Sequence, residues 1–354
     1  MSKLQAEYRK FTLTFVKPMG TSRGLLTDRD IFILALRNEQ GVVGLGECAS
    51  LPKLSFDDQP GFEARLSEVC ASLREKGCVT NIPLTDWPAI RFGVETAALC
   101  LQRFQQPLFD TDFTRGVRCL ATNGLIVMAS LAEMLVQVRR KVEEGFRCIK
   151  IKIGAHDFDD EFRLLHDLRK RWAVRDIELR LDANGAFSPS DALEKLKALA
   201  PFRVHSIEQP IPQGDWQAMA KICAQSPVPI ALDEELIGIH QPARRRRLLD
   251  TIRPAFLILK PTLLGGFAAC QEWISLCERR GIGYWITSIL ESNIGLSAIA
   301  QWTSTLSTRV AQGLGTGQLY RANFDSPVRL RRAALSYEPA MGRHATSLKD
   351  LVLQ

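Results

Sequence analysis

Short apolar runs alternate with longer helical segments from about residue 120 onward. Eight runs have the length and composition of strands, and the segments between them carry apolar residues on one helical face. The candidate strands are residues 123–128, 147–154, 177–185, 203–210, 228–235, 255–261, 282–289 and 309–315. Strands and helices that alternate in this way over about 200 residues predict a parallel β/α barrel.

The first part of the chain follows another pattern. Residues 8–50 contain alternating or β-rich runs separated by turn glycines, which is typical of hairpins. Residues 60–78 and 87–105 predict helices with one apolar face. This part is therefore expected to be a small α+β unit.

Two helices of the repeating region have recognisable start signals. Asp157 is expected to cap the helix that follows the run 147–154, because acidic residues fill its first turn and basic residues its last. Ser188 and Pro189 are expected to open the next helix, with the proline in the first turn.

Composition is that of an ordinary globular protein, with 46% hydrophobic and 24% charged residues in a chain of 354. No apolar run reaches the roughly 18 residues of a membrane span, and the N-terminus has no signal-peptide pattern. We therefore expect a cytoplasmic location and no membrane partner. The nine cysteines are scattered and none forms a CxxC pair, so reduced thiols are expected and a zinc site is not.

The chain carries a net charge of +7, which could attract an anionic substrate. Its one dense basic run, residues 244–247, is interpreted as a solvated helix face, because no aromatic platform or nucleic-acid motif accompanies it. No role is assigned to that run.

Strand periodicity places charged and aliphatic residues on opposite sides of the candidate strands. In the run 147–154, Lys150 and Lys152 alternate with isoleucines, and Asn184 shares a side with Asp182 in the run 177–185. The aliphatic side is expected to cover the helices, and the charged side to point into the barrel. By the same rule, Glu234 points away from its neighbour Asp233.

Five charged residues occupy the C-terminal ends of successive strands, the end where barrel enzymes place their chemistry. In chain order they are Lys152, Asp182, Glu208, Asp233 and Lys260. A single acidic residue at a strand end is usually a helix cap or turn residue, but five in this order favour one metal-assisted active site.

The three carboxylates of Asp182, Glu208 and Asp233 suit a hard, oxygen-preferring cation, with Mg²⁺ first and Mn²⁺ as the alternative. The two lysines can then act as base or acid on either side of a substrate, if the base is neutral. Lys150 and the metal are expected to lower the pKa of Lys152. Asn184 is expected to bind substrate or orient a ligand.

The set KIK (150–152), DAN (182–184), IEQP (207–210), LDE (232–234) and LKP (259–261) resembles the muconate-lactonizing-enzyme subgroup of the enolase superfamily. RFGVETA (91–97) resembles a helix of the capping domain of that superfamily. The resemblance implies an α/β fold with an α+β capping domain and an enolase-type (β/α)7β barrel. The implied bounds are capping domain 1–115, catalytic barrel 116–324, and a segment 325–354 that returns to the capping domain.

Within that subgroup, TSRG (21–24), TSILESNIG (287–295) and GLGTGQLY (313–320) are similar to the o-succinylbenzoate synthase family. This similarity implies Mg²⁺-dependent syn-dehydration of an anionic succinyl-cyclohexadiene carboxylate in menaquinone biosynthesis. Lys152 would be the base and then the acid, and Lys260 would stabilise the enediolate from the opposite face. The implied substrate contacts are Ser288, Glu291 and Ser292 near the seventh strand, and Ser22 and Arg23 over the succinyl tail.

Other reactions on the same scaffold stay open, namely N-acylamino acid racemisation, dipeptide epimerisation and cycloisomerisation. Two opposed lysines suit a racemase equally well. Dipeptide epimerases typically have an acidic pair after the eighth strand, and residues 313–318 contain no carboxylate. A non-catalytic metal-binding scaffold is disfavoured, because a binder needs no lysine pair. The oligomeric state is left open.

Overall fold

The computed structural model describes residues 4–21, 24–103, 107–341 and 351. It begins with an antiparallel sheet of three strands in the order β1-β2-β3. These strands are β1 (Gln5–Thr21), β2 (Gly24–Arg37) and β3 (Val43–Cys48). The expected hairpin region is thereby confirmed, and the second half of β2 is almost wholly buried.

Two helices, α1 (Phe62–Lys76) and α2 (Pro88–Arg103), follow the sheet as expected. Helix α2 packs very closely on β3. A Cβ atom at Gly46 would lie 1.9 Å from the carbonyl oxygen of Gly93, and one at Gly44 would lie 2.1 Å from that of Ala97. Glycine is therefore required where the helix and the strand meet.

Seven parallel strands form the second sheet, in the order β11-β10-β9-β8-β7-β6-β5. The strands are β5 (Gly124–Ile126), β6 (Cys148–Lys152), β7 (Glu178–Asp182), β8 (Ser206–Glu208), β9 (Ile230–Leu232), β10 (Phe256–Leu259) and β11 (Gly283–Ile286). A short strand, β4 (Leu120–Ala121), precedes them. All seven lie within predicted strands, and each is shorter than predicted.

Helices follow the parallel strands in the expected alternation. They are α3 (Leu131–Glu143), α4 (Phe158–Arg171), α5 (Ala192–Leu199), α6 (Trp216–Gln225), α7 (Pro242–Ile252), α8 (Pro261–Leu264), α9 (Phe267–Glu278) and α10 (Asn293–Thr303). Asp157 occupies the cap position of α4, but its side chain makes no capping hydrogen bond. Ser188 and Pro189 lie in a turn, and α5 begins only at Ala192, so the prediction of its start was wrong.

The eighth predicted strand, residues 309–315, does not form a regular strand in the described structure. Single bridges join Gln312 to Thr122 and Gly313 to Thr287. The backbone N–H of Gln312 donates to the carbonyl of Ala121, and that of Gly313 donates to the carbonyl of Ile286. This segment therefore hydrogen-bonds to the chain at both edges of the seven-stranded sheet.

A third, antiparallel sheet has the order β12-β13-β4, with β12 at Val328–Arg331 and β13 at Ala334–Tyr337. The ring of Tyr337 meets that of Phe113 at 5.8 Å. The final segment thus pairs with residues that just precede the parallel sheet. Among the described residues, no helix combines the length and the apolar character that a membrane span needs.

Candidate active site

The five predicted charged residues lie together at one end of the parallel sheet. Lys152, Asp182 and Glu208 are the last residues of β6, β7 and β8, and they stand side by side in register. Asp233 and Lys260 directly follow β9 and β10. Because the strands are parallel and adjacent, their C-terminal ends bring residues from five distant segments into one site.

Ion pairs connect this cluster. The Lys150 Nζ atom lies 2.9 Å from Asp182 Oδ2 and also pairs with Glu208. Lys260 Nζ lies 2.5 Å from Asp233 Oδ2. The three carboxylates are buried, so these pairs are shielded from water and interact strongly.

The pKa values of two site carboxylates move in opposite directions, because burial and neighbouring carboxylates raise them and the lysines lower them. Burial alone would raise the pKa of Asp182, but the site lysines, Lys150 first, lower it to about 2. Burial, with the charges of Asp182 and Asp233, raises the pKa of Glu208 to about 8, against the lowering effect of Lys150. Burial would lower the pKa of Lys150, and the surrounding carboxylates outweigh it and raise that pKa. Among these carboxylates, Glu208 is therefore the one whose charge the surroundings stabilise least.

Lys152 has a different kind of partner. Its Nζ atom donates to the neutral Oδ1 of Asn184 at 3.0 Å, and Asn184 Nδ2 donates to Glu234 Oε1 at 2.9 Å. The side of Glu234 was predicted wrongly, because β9 ends at Leu232 and strand periodicity does not continue into the 3-10 turn that follows. Glu234 lines the same cavity as the lysines.

A cavity opens above these residues and has a mostly apolar wall. Both lysines of the run 150–152, Lys260, Asp182, Glu208 and Glu234 form its charged part. The apolar part is contributed by Met19, Leu26, Leu51, Pro52, Leu54, Leu125, Trp285, Ile289 and Leu290. The cavity can therefore hold a molecule with an anionic head and an apolar body.

The predicted loop contacts divide into two groups. Ser288 lines the cavity, and its hydroxyl lies 2.7 Å from that of Thr316. Glu291 and Ser292 are fully buried and do not line it. Glu291 accepts hydrogen bonds from Ser288 and Thr262, so it supports the loop and does not face the cavity.

Ser22 and Arg23 lie outside the described residues, so their predicted contact with the succinyl tail has no structural counterpart here. The prediction for residues 244–247 is refined. They lie on α7. Arg245 is buried, and its Nη1 atom lies 2.5 Å from Glu272 Oε2.

The sequence did not identify several residues of the cavity wall, Arg180 and Trp285 among them. Arg180 is buried on β7 and stacks on the Trp285 ring at 4.3 Å from its centroid, and it donates to the carbonyl of Ala311. Arg180 could have been found from strand periodicity, because a residue two positions before Asp182 faces the same side of the strand. The same periodicity within β11 could have identified Trp285. No sequence pattern marked the cavity residues from the first sixty positions.

The carboxylates of Asp182, Glu208 and Asp233 are the candidate ligands for a divalent cation. Within the described ranges, no three acidic, histidine or cysteine side chains come close enough together to hold a metal ion as they stand. Lys150 lies against two of the three carboxylates. However, Glu208 Oε1 is buried and has no hydrogen-bond partner among the described residues. A buried acceptor without a donor is costly, and a hard cation would satisfy it, so the three carboxylates fit Mg²⁺.

A sequence model of the enolase C-terminal domain-like family matches residues 133–342, which is more than half of the chain. The chain belongs to the enolase superfamily. The matched region contains strands β6 to β11, and therefore every strand that carries one of the five charged residues. The α/β fold described above is accordingly of the enolase type.

Relatives of known activity cover nearly the whole chain. The o-succinylbenzoate synthase of Desulfotalea psychrophila is 44% identical over 92% of this chain and 97% of that protein. The crystal structure of MenC from the same organism superposes with a TM-score of 0.81 and 39% identity, over 95% of this chain and 100% of that one. The N-succinylamino acid racemase of Thermus thermophilus is 30% identical over 82% of this chain and 79% of that protein.

Proposed function

We propose that the chain is an o-succinylbenzoate synthase. This hydro-lyase dehydrates 2-succinyl-6-hydroxy-2,4-cyclohexadiene-1-carboxylate to o-succinylbenzoate, a step of menaquinone biosynthesis. The observation that carries the proposal is the 44% identity to the Desulfotalea psychrophila enzyme over almost the full length of both proteins. The cavity agrees with it, because an apolar wall beside a cluster of lysines suits a ring that bears carboxylates.

Asp182, Glu208 and Asp233 would hold the divalent metal, with Mg²⁺ favoured and Mn²⁺ as the alternative. When bound, the metal would stabilise the negative charge that develops on the substrate carboxylate as the neighbouring proton leaves.

Lys152 would remove that proton from the ring carbon and then return it to the departing hydroxyl, which leaves as water. One residue can do both because the two groups leave from the same face. Asn184 would hold the Lys152 amine in position through its 3.0 Å hydrogen bond. Lys260 would place a positive charge on the opposite side, since three strands separate β6 from β10 in the sheet.

The substrate tail and the domain division belong to the same proposal. Ser288 would contact substrate directly, as its place in the cavity wall supports. Ser22 and Arg23 would close over the succinyl tail. Residues 1–115 would form the α+β capping domain, residues 116–324 the (β/α)7β barrel, and residues 325–354 the segment that returns to the cap. The bridges made by Gln312 and Gly313 support the closure of that barrel.

N-succinylamino acid racemisation is the second candidate, because the Thermus thermophilus racemase is 30% identical and the two lysines could serve opposite faces. Dipeptide epimerisation has less support, since residues 313–318 offer no carboxylate for an α-ammonium group. The cytoplasmic location and the absence of nucleic-acid and membrane partners stay predictions.

Two assays on the purified protein test these proposals. The cyclohexadiene substrate is followed by ultraviolet absorbance with Mg²⁺ and with chelator, and we expect the diene signal to disappear only when Mg²⁺ is present. Exchange of the α-proton of an N-succinyl amino acid in D₂O is followed by NMR in parallel. Persistence of the diene with Mg²⁺ would overturn the synthase proposal, and proton exchange alone would favour the racemase.

A further inference from the structure

Two loops that are far apart in sequence form neighbouring parts of the cavity wall. The first follows β3 and contributes Leu51, Pro52 and Leu54. The second follows β11 and contributes Ile289 and Leu290. Both loops consist of irregular backbone, so other contacts must fix their shape.

A single buried side chain joins these loops. Arg29 lies on β2 and is 2% exposed. Its Nη1 donates to the carbonyl oxygens of Ile289 and Leu290 at 2.6 and 2.5 Å. Its Nη2 donates to those of Ala49 and Ser50 at 2.7 and 3.3 Å. One guanidinium therefore engages four backbone carbonyls, two from each loop.

The loop after β11 needs such support. Leu290 has a φ of 70°, a left-handed conformation that is unfavourable for a residue with a side chain. Its carbonyl accepts a second hydrogen bond, from the Tyr320 hydroxyl at 2.6 Å, and its N–H donates to Ser288 Oγ. Arg29 and Tyr320 thus hold an unfavourable peptide in the orientation that presents Leu290 to the cavity.

The neighbouring strand holds the far end of the same loop. Glu47, on β3, accepts hydrogen bonds from the N–H and the hydroxyl of Ser292 at 3.0 and 2.5 Å, and from the N–H of Gly295 at 3.0 Å. The N-terminal sheet therefore fixes the loop at two points, one of which also reaches the loop after β3.

We propose that Arg29 is a positioning residue that sets the apolar wall of the substrate cavity. This inference rests on the proposed function. Lys152 and Lys260 stand on or beside strands of the other sheet, and the hydrogen bonds of Arg29 go to loop carbonyls and not to these lysines. Loss of the guanidinium should therefore weaken substrate binding much more than it slows the chemical step.

Arg29→Lys is the informative variant, because it keeps the charge but cannot reach four carbonyls with one planar group. Arg245→Lys is a matched control. Arg245 is also 2% exposed and donates to two backbone carbonyls, those of Ile239 and Ala269, but it lies outside the cavity lining. We expect both variants to lose thermal stability, and only Arg29→Lys to raise KM, by about tenfold with kcat within about threefold. Equal KM values in the two variants would overturn the proposal.

Hydrogen–deuterium exchange gives a readout that does not need the proposed reaction. In Arg29→Lys, amides of residues 49–54 and 288–292 should exchange faster than in Arg245→Lys and in the wild type. Unchanged exchange there would overturn the positioning role of Arg29 even if the synthase activity is present. If the wild type lacks that activity, the proposed function is overturned, and the exchange result alone decides on the role of Arg29.

Tyr320→Phe covers the case in which Arg29→Lys does not fold. It removes only one hydrogen bond to the Leu290 carbonyl and should raise KM by about two- to threefold, with faster exchange in the same loop. A wild-type KM together with wild-type exchange would count against the proposal.

Discussion

Lys150 and Lys152 are two residues apart on β6, yet their surroundings suit them to different tasks. The Lys150 ammonium is paired with Asp182 and Glu208, and a lysine between two carboxylates keeps its proton. The hydrogen-bond partner of Lys152 is the amide Oδ1 of Asn184 and not a carboxylate. The proposed function accordingly gives proton transfer to Lys152 and leaves Lys150 to balance the charge of the carboxylates.

Lys152→Ala and Lys152→Arg should both lower kcat by about 10²- to 10⁴-fold, the usual contribution of a positioned general base. The arginine variant keeps the positive charge but cannot act as a neutral base. The measurement is kcat with the cyclohexadiene substrate, and circular dichroism should show an unchanged fold. An active arginine variant would show that charge, and not proton transfer, is what this position supplies.

Asp57 is expected to make the stability of the protein depend on pH at a place separate from the active site. Burial raises its pKa to about 7 from an ordinary value of 3.8, although the N–H of Ala89 donates to it. Between these two values the unfolded chain has lost the proton and the folded protein still holds it. The free energy of unfolding should therefore fall as pH rises from about 4 to about 7, and then level off.

Asp57→Asn removes the titration and can still accept the hydrogen bond from Ala89. Relative to wild type, this variant should gain about 2 kcal/mol between pH 5 and pH 8. Urea unfolding of both proteins at the two pH values measures the difference. A constant difference across this range would mean that Asp57 is already ionised in the folded protein at pH 5.

Sequence periodicity located residues within a strand or directly after it, and it did not hold further along the chain. Lys152 and Asp182 end β6 and β7, Lys260 directly follows β10, and all three line the cavity as expected. Glu234 lies two residues beyond the end of β9, in a 3-10 turn, and periodicity placed it on the wrong side. The resemblance that assigned Ser292 to the substrate could not show that its hydroxyl is bonded to Glu47, 245 residues away.

At the scale of elements, the first backbone N–H groups of helix α9 donate hydrogen bonds to a side chain of another helix. Glu95 on α2 accepts hydrogen bonds from the N–H groups of Phe267 and Ala268 at 2.6 and 2.9 Å. Gly266, which precedes the helix, has a φ of 97°, a conformation that favours glycine, and a Cβ atom there would displace the Glu95 carboxylate. A carboxylate at a helix N-terminus is favoured by the helix dipole as well as by these bonds.

Glu95→Ala should lower the free energy of unfolding by about 1 to 2 kcal/mol, which is typical of the loss of a capping side chain. Glu95→Gln keeps an acceptor and should lose less. Denaturant unfolding measures the change, while kcat should stay at the wild-type value because Glu95 does not line the cavity. Equal stability of the alanine variant and wild type would show that water replaces the carboxylate without cost.

Element boundaries were predicted less well than element order. The predicted run 203–210 contains only the three-residue strand β8. Apolar composition suggested the longer run, but only residues that hydrogen-bond to the neighbouring strands belong to a parallel strand. Residues 309–315 make only single bridges, although they contact both edges of the sheet. The alternation of strands and helices survived these errors, since it depends on the apolar pattern and not on the exact ends.

At the scale of the whole molecule, the cavity is built from two parts of the chain with different roles. The parallel sheet supplies the lysines and carboxylates, and the N-terminal sheet with its following loop supplies Met19, Leu26 and Leu51. The position of the charged cluster could be predicted from the sequence, because the C-terminal ends of adjacent parallel strands lie at the same edge of a sheet. The apolar wall could not, because it depends on how the N-terminal sheet packs against that end.

Metal binding should be visible in the stability of the whole protein as well as in its activity. Removal of divalent cations by EDTA should abolish dehydration, and Mg²⁺ should restore it. A ligand that binds only the folded state stabilises it by about 2.7 kcal/mol at a concentration of 100 times Kd. Thermal unfolding of the wild type should therefore shift to higher temperature as Mg²⁺ is added, with a midpoint that depends on its concentration.

Asp182→Asn is the control for this measurement, because it removes one of the three carboxylates while the side chain keeps its size. In the variant, the response of the unfolding temperature to Mg²⁺ should be lost or moved to much higher concentration. The same response in both proteins would mean that Mg²⁺ binds elsewhere on the molecule. Full activity in excess chelator would contradict the metal site altogether.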